Sequence, residues 1–255
     1  MIQACGLCSG YWDKEVLHNI DLKLSSSGFT ALLGPNGSGK STLIFTLMGY
    51  LKARKGHILI RGKDLQEYSQ PELAKIIAYI PQEIHSEFDY TVLDTVLMGR
   101  YPYIDFLGSY SEEDYRVTEN TLSQLDLLPM KHRFVQQLSG GEKQRVYIAR
   151  ALVQETPFIF LDESLSQLDI NYQLEIMRLL KKISLDQHKS ILLISHNLNL
   201  SANYADRLLF LKEGRLLYSG SPNELMQADK LSEIFSVPLS TSLNPLSQTH
   251  NIIYP

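Results

Sequence analysis

A glycine-rich loop placed between an apolar run and a helical run constrains this chain more than any other feature. Gly34-Pro35-Asn36-Gly37-Ser38-Gly39-Lys40-Ser41 fills the pattern G-x-x-x-x-G-K-[ST] in full, after the apolar Phe29 to Leu33 and before Thr42 to Met48. The flanks predict a buried strand entering the loop and a helix leaving it, the setting in which such a loop wraps a phosphate with its backbone N–H groups. There Lys40 is expected to reach the β- and γ-phosphates of a nucleotide, and the Ser41 hydroxyl to ligate Mg²⁺.

Two further stretches extend this chemistry. Phe158-Ile159-Phe160-Leu161-Asp162-Glu163 reads as a short apolar strand ending in two carboxylates, which places Asp162 at the carboxyl end of a parallel strand, where α/β folds hold ligands. Asp162 is expected to hold Mg²⁺ through water, and Glu163 to orient and polarise the attacking water. Leu138-Ser139-Gly140-Gly141-Glu142 opens a helical run and offers a hydroxyl, two glycines and a positive helix end to an anion. It is a second phosphate cradle without a nucleotide of its own, so two copies of the chain are expected to share sites.

In this order the motifs resemble the nucleotide-binding subunit of an ABC transporter, from the first strand to about residue 220. The resemblance assigns Tyr11, in Ser9-Gly10-Tyr11-Trp12, to stacking on adenine, and Gly34, Pro35, Asn36, Gly37, Ser38, Gly39, Lys40, Ser41 and Thr42 to the Walker A loop. Gln82, in Ile80-Pro81-Gln82, matches the Q-loop glutamine and joins Ser41 and Asp162 as a metal contact. Ser139, Gly140, Gly141 and Glu142 match the signature, Phe158 to Asp162 Walker B, and Glu163 the catalytic glutamate. Asp169, in Ser166-Gln167-Leu168-Asp169, matches the D-loop, and His196, after Ile191 to Ile194, the switch histidine. Glu163, His196 and Gln82 are thus the implied catalytic set, with ATP and Mg²⁺ as ligands. From the residues alone, Trp12 competes with Tyr11 for the stacking role, Gln82 carries almost no signal, and a single histidine is more often a hydrogen-bonded structural one. The family's Asp-Glu-Pro-Thr is Asp162-Glu163-Ser164-Leu165 here, which removes a proline that fixes φ and a hydroxyl. Hydrolysis is expected to survive; the stiffness of the loop carrying Asp169 is what changes.

The implied fold is α/β, a P-loop NTPase core of the ABC type with a mixed, largely parallel sheet flanked by helices, an antiparallel β subdomain and an inserted helical subdomain. One ABC ATP-binding domain is expected over residues 1–238, with the helical insert at about 84–151, followed by a short C-terminal extension over 239–255. Asp21 to Leu24 and His57 to Ile60, the latter after a turn at Gly56, alternate as half-exposed strands. Ile76 to Ile80, Phe158 to Leu161 and Ile191 to Ile194 read as buried strands, and Asn251-Ile252-Ile253 as one strand in the tail. Tyr172, Ile176, Leu179, Leu180 and Ile183 recur at helical spacing and are expected to face a core.

Composition sets the surroundings. No apolar run approaches the roughly 18 to 20 residues that span a bilayer, and no signal peptide opens the chain, so a cytosolic protein is expected. A net charge of -4 without a basic block gives no footprint for nucleic acid. Cys5 and Cys8 form half of a zinc site at most, face opposite sides of a regular strand, and read as reduced packing thiols.

Residues 84 to 110 are rich in aromatic and apolar side chains, from Phe88 to Tyr103, and in the resembled family this region receives a helix of the membrane subunit. The same side chains could instead fill the insert's own core. Leu97-Met98-Gly99-Arg100-Tyr101-Pro102, Ser109 to Asp114 and Ile234 to Pro238 resemble the importer branch that carries iron-siderophore complexes, haem or vitamin B12. The resemblance therefore implies an ATP-hydrolysing importer subunit, peripheral on the cytoplasmic face of the inner membrane. Its partners would be a second copy of itself, integral membrane permease subunits and, indirectly, a periplasmic or extracellular substrate-binding protein, with no nucleic acid. A soluble ABC ATPase of a cytosolic assembly system, as in iron-sulfur cluster assembly, shares every nucleotide motif and is the alternative.

Overall fold

The computed structural model describes residues 1–82, 89–105, 108–166 and 168–253. The chain forms two compact units, Met1–Ser69 with Met177–Pro255, and Gln70–Ile176. The first unit opens with β1 (Ile2–Tyr11), β2 (Lys14–Leu24), β3 (Gly28–Leu33), α1 (Lys40–Leu47), β4 (Ala53–Ile60) and β5 (Lys63–Asp64). The second holds α2 (Gln70–Ala74), β6 (Ile77–Ile80), α3 (Val92–Leu97), α4 (Glu112–Gln124), α5 (Gly140–Val153) and β7 (Phe158–Asp162). Helix α6 (Ile170–Asp186) begins in the second unit and ends in the first. The first unit then closes with β8 (Ser190–Ile194), α7 (Leu198–Tyr204), β9 (Arg207–Lys212), β10 (Arg215–Gly220), α8 (Pro222–Leu225), α9 (Ala228–Phe235), β11 (Ser240–Leu243) and β12 (His250–Ile253).

In the first unit, β3 runs parallel to β8 on one side and β9 on the other, and β10 pairs antiparallel with β9. Phe29 to Leu33 are all buried, as expected for a strand with both faces covered. A second, antiparallel sheet runs β2-β1-β4-β5. Along β2, Asp21 and Lys23 are exposed and Leu22 and Leu24 buried, the alternation of a half-covered sheet. Gly56 is not a turn residue: it lies within β4, at φ 74°, where a Cβ would sit 2.3 Å from the Cys5 carbonyl oxygen. It faces an irregularity in β1, whose register shifts between Ala4 and Leu7 around Gly6 at φ 56°. That bulge breaks the strict alternation assumed for Cys5 and Cys8. Both thiols are free; Cys8 is buried and accepts from the Asn19 N–H at 3.3 Å.

In the second unit, β6 and β7 pair in parallel and α3, α4 and α5 follow the expected helical pattern. Each of these three helices opens with a capping box, Thr91 with Asp94, Ser111 with Asp114, and Ser139 with Glu142. Gly99 and Arg100, read above as branch markers, have structural work. A Cβ on Gly99 would lie 2.1 Å from the Arg150 carbonyl oxygen. Arg100 is 5% exposed, and its guanidinium donates to Asp114 Oδ1 at 2.8 Å, Glu155 Oε2 at 2.6 Å and the Val153 carbonyl at 2.7 Å. It also lies over the Tyr103 ring, 4.1 Å from its centroid. Burial opposes ionisation of Asp114, yet hydrogen bonds from Ser111 and Arg100 outweigh it and hold its carboxyl below the ordinary value.

A buried pair of this kind is costly to break from one side, because the remaining carboxylate is left desolvated. Arg100→Ala should therefore destabilise the protein by about 3–5 kcal/mol in urea unfolding at neutral pH. Because the folded pKa of Asp114 is depressed, the pair's contribution is present above the ordinary carboxylate range and is lost as pH falls through the folded value. The gap between wild type and Arg100→Ala should accordingly narrow on acidification; a constant gap would contradict this role.

Candidate functional site

In the first unit the glycine-rich loop leaves the carboxyl end of β3. Gly34 sits at φ 150°, and a Cβ there would lie 2.0 Å from the Leu211 carbonyl oxygen, so no side chain can be accommodated. Pro35, Asn36 and Gly37 form the loop's crown, with Asn36 and Gly37 exposed, and Gly39 at φ 101° starts α1. Lys40 is buried and its ammonium turns into the loop, donating to the carbonyls of Gly34 at 3.0 Å and Pro35 at 3.1 Å. Ser41 and Thr42 follow in the first turn of α1, which carries no acidic residue to neutralise its positive end. Ser38 Oγ is buried with no hydrogen-bond partner. An orphaned hydroxyl in this glycine-rich loop fits an anionic ligand, since buried polar atoms are otherwise paired.

His196 follows β8, the parallel neighbour of β3, with Leu32 opposite Ile194. The Ser195 N–H donates to the Leu32 carbonyl at 3.3 Å, so the first unit brings the loop and His196 to the carboxyl ends of two adjacent strands. Tyr11 ends β1 at 41% exposure, while Trp12, at φ 49° in the β1–β2 turn, is 96% exposed.

In the second unit, β7 is buried throughout and ends at Asp162, which is 5% exposed and accepts from the Tyr79 hydroxyl at 3.4 Å. Gln82 lies just beyond β6 and is exposed; Ile80 pairs with Leu161, so Gln82, Asp162 and Glu163 emerge at the same edge of this unit. Glu163 adopts φ 46°, a left-handed conformation that costs a non-glycine residue about 1–2 kcal/mol. Its carbonyl accepts from the Ser166 N–H at 3.1 Å and hydroxyl at 2.9 Å. Ser164 Oγ is buried without a partner and Leu165 is buried at 9% exposure, so this departure from the family pattern is turned inward. Asp169 is exposed, and its carbonyl caps α6 by accepting from the Gln173 N–H at 3.0 Å. Gln167, within the same loop, lies outside the described residues.

The signature stretch forms the N-terminus of α5. Ser139 is its N-cap, with Ser139 and Gly140 exposed, and its hydroxyl and N–H both donate to Glu142 Oε2, at 2.7 and 2.8 Å. Hydrogen bonds from the Ser139 side chain and then its backbone hold the Glu142 carboxyl below its ordinary value. The N-terminus of α5 is therefore capped by the chain's own carboxylate. Gly141 is buried, and a Cβ there would lie 2.2 Å from the ring of Tyr172. Arg145, one turn on, donates to Glu175 Oε2 at 2.7 Å.

Tyr172 was expected in the core, but it is 36% exposed, whereas Ile176, Leu180 and Ile183 are buried. It stands one turn too early in α6 for the core and lies instead against the signature backbone. Nothing local in the sequence marks that role, since its partner is a glycine some thirty residues earlier.

The family model described as ABC transporter matches residues 17–166. The chain is 32% identical over 253 residues to the uncharacterized ABC transporter ATP-binding protein YvrA of Bacillus subtilis, covering 99% of this chain and 57% of that protein. It is 34% identical over 243 residues to the petrobactin import ATP-binding protein YclP of Bacillus subtilis, covering 94% and 96% of the two chains. It is 31% identical over 247 residues to the ferric enterobactin transport ATP-binding protein FepC of Escherichia coli, covering 97% and 91%. Among solved structures it superposes on the ADP conformation of the ATP-binding cassette MJ1267 with a TM-score of 0.83, at 25% identity over 92% of this chain and 97% of that one. The dimeric cassette MJ0796 gives a TM-score of 0.73 at 26% identity, over 87% of this chain and 98% of that one.

The packing of Tyr172 on Gly141 makes a direct prediction. Gly141→Ala should lower thermal stability by an overpacking cost of about 1–3 kcal/mol and reduce ATP turnover. Adding Tyr172→Ala should recover part of the stability by removing the ring. Equal melting temperatures for Gly141→Ala and wild type would contradict the contact.

Proposed function

Because this chain belongs to the ABC transporter family, we propose that it is the ATP-binding and hydrolysing subunit of an importer for metal-chelate cargo of the iron-siderophore, haem or cobalamin type. One observation carries the mechanism: the chain bears a full phosphate cradle at Gly34–Ser41 and, separately, a helix N-terminus at which Ser139 and Gly140 are exposed over the buried Gly141. A nucleotide needs both, and one copy of each per chain favours two copies assembled head to tail. The importer reading draws on near-full-length likeness to proteins named for petrobactin import and ferric enterobactin transport.

The geometry within each unit supports the following roles. The loop N–H groups and Lys40 bind the β- and γ-phosphates, for which Lys40 exchanges its bonds to the Gly34 and Pro35 carbonyls. Tyr11, the last residue of a strand and 41% exposed, stacks on the base in preference to Trp12, which is 96% exposed in the turn that follows. Ser41, Asp162 and Gln82 are the residues that would hold Mg²⁺, which when bound neutralises charge on the phosphate oxygens. Glu163 orients the attacking water, its position set by the left-handed turn that Ser166 closes. His196 contacts the γ-phosphate. Ser139 and Gly141 address the nucleotide of the second copy when the Glu142 cap yields, and Asp169 faces that copy.

The domain is proposed to be one ABC cassette over 1–238, with the helical insert receiving the permease. Tyr90, Tyr101 and Phe134 are exposed on that unit at 39%, 74% and 41%, and are aromatic side chains available to it. Phe88, part of the same expectation, lies outside the described residues. Among the described residues no helix is long and apolar enough to cross a membrane. Attachment to the cytoplasmic face of the membrane would come through permease subunits, which a substrate-binding protein loads from the far side.

Glu163→Gln tests the central assignment. It should bind ATP as tightly as wild type, hydrolyse it at least about a hundredfold more slowly in a phosphate-release assay, and accumulate as an ATP-bound dimer on size exclusion. Undiminished turnover would remove Glu163 from the mechanism.

A further inference from the structure

The tail beyond residue 238 holds two strands, and its attachment points lead back to the loop of His196. Strands β11 and β12 form an antiparallel hairpin in register from Ser240 opposite Ile253 to Leu243 opposite His250. A lone two-stranded hairpin is marginal in water, so its order must come from outside itself. Helix α7 supplies it. The Asn199 side-chain amide spans the backbone of Ile252, accepting from its N–H at 2.7 Å and donating to its carbonyl at 3.1 Å, as a third strand would. One turn on, Asn203 Oδ1 accepts from the hydroxyls of Ser247 and Thr249, each at 2.8 Å. Ile252, 4% exposed, packs in one cluster with Leu198, Ala202 and Ala205 of the α7 segment and with Ala31 and Leu33 of β3.

The other end of α7 is tied just as closely. Asn197 caps it by accepting from the Leu200 N–H at 3.0 Å, and the Asn197 N–H donates to Ser195 Oγ at 3.0 Å. Ser195 is in turn bonded to Leu32. His196 thus stands between two anchored residues, at the mouth of a seven-residue helix. A helix that short does not hold its own orientation; packing must fix it. The hairpin covers and pins it.

We infer that the C-terminal hairpin is a brace that positions His196, and that Asn199 and Asn203 are positioning residues for ATP hydrolysis. The inference rests on the reading of His196 as the γ-phosphate contact. Loosening the brace should leave nucleotide binding to the loop intact and slow the chemical step, because a reacting group misplaced by about 1 Å can cost up to a hundredfold in rate.

The test is the pair Asn199→Ala and Asn203→Ala in the full chain, with Asn199→Asp as a milder variant should the pair not fold. Expected are faster amide exchange over residues 240–253, unchanged ATP affinity, a fall in kcat on the order of tenfold, and no further fall in a His196→Ala background. Faster hairpin exchange with wild-type kcat would overturn the brace, as would hairpin exchange that does not change, or a loss that multiplies fully with that of His196→Ala. If His196→Ala alone turns over at the wild-type rate, the phosphate reading of His196 fails. The brace is then decided by the His196 ring signals in NMR, which shift in the asparagine variants if it holds and stay unchanged if it does not.

Discussion

The seating of Gly34 against the Leu211 carbonyl is the constraint on which the first unit depends. A Cβ at Gly34 would stand 2.0 Å from that oxygen, so the chain can turn out of β3 there only without a side chain. The turn between β9 and β10 fits beneath the same loop: the Gly214 N–H donates to the Ser38 carbonyl at 3.0 Å, and the Gly214 carbonyl accepts from the His18 N–H at 2.8 Å. A Cβ on Gly214 would meet the Val16 carbonyl at 1.9 Å. Backbone thus lies on backbone from the loop through this turn to β2, and the antiparallel sheet that carries Tyr11 is fixed relative to the phosphate loop by groups that have no side-chain freedom to lose. Preorganisation of this kind lets N–H groups meet phosphate without reordering at the moment of binding.

The second cradle is organised on the opposite principle. Ser139 spends both its hydroxyl and its N–H on Glu142, the same capping arrangement that starts α3 and α4. At α5 the cap stands on an exposed glycine surface, with Tyr172 and the Arg145–Glu175 pair fixing the helix behind it. In the proposed assembly, a cap that protects the helix end in the free chain would be shared with the incoming nucleotide, which would give the second cradle lower readiness than the first. The proposed closure of two copies would then have a local electrostatic cost, since Glu142 and phosphate would compete for the same donors.

Much of this is legible in the sequence because the elements that carry the glycine-rich loop, Asp162 and His196 are continuous apolar runs joined to glycine-rich or acidic punctuation. β3, β7 and β8 fall on such runs, and the loop, Asp162 and His196 follow at their ends. What escaped notice depends on residues distant in the chain. Gly56 looked like a turn, but its reason is the bulge at Gly6 across the sheet. Ser240 to Leu243 has no apolar alternation, and it becomes a strand because Asn199 and Asn203 hold the hairpin from α7. Arg100 resembled a branch marker, and its buried partners Asp114 and Glu155 could not be paired with it by spacing alone.

In the proposed mechanism each catalytic site is completed by the signature of a second copy. A mixed dimer of Ser139→Arg chains with Lys40→Ala chains tests it most directly by counting ATP hydrolysis. Each variant alone should be inactive, since every site in it lacks either the loop lysine or an admissible signature, whereas the mixture should regain a single composite site and measurable turnover. A mixture as inactive as its parents, with mixed dimers demonstrably formed, would contradict the head-to-tail arrangement.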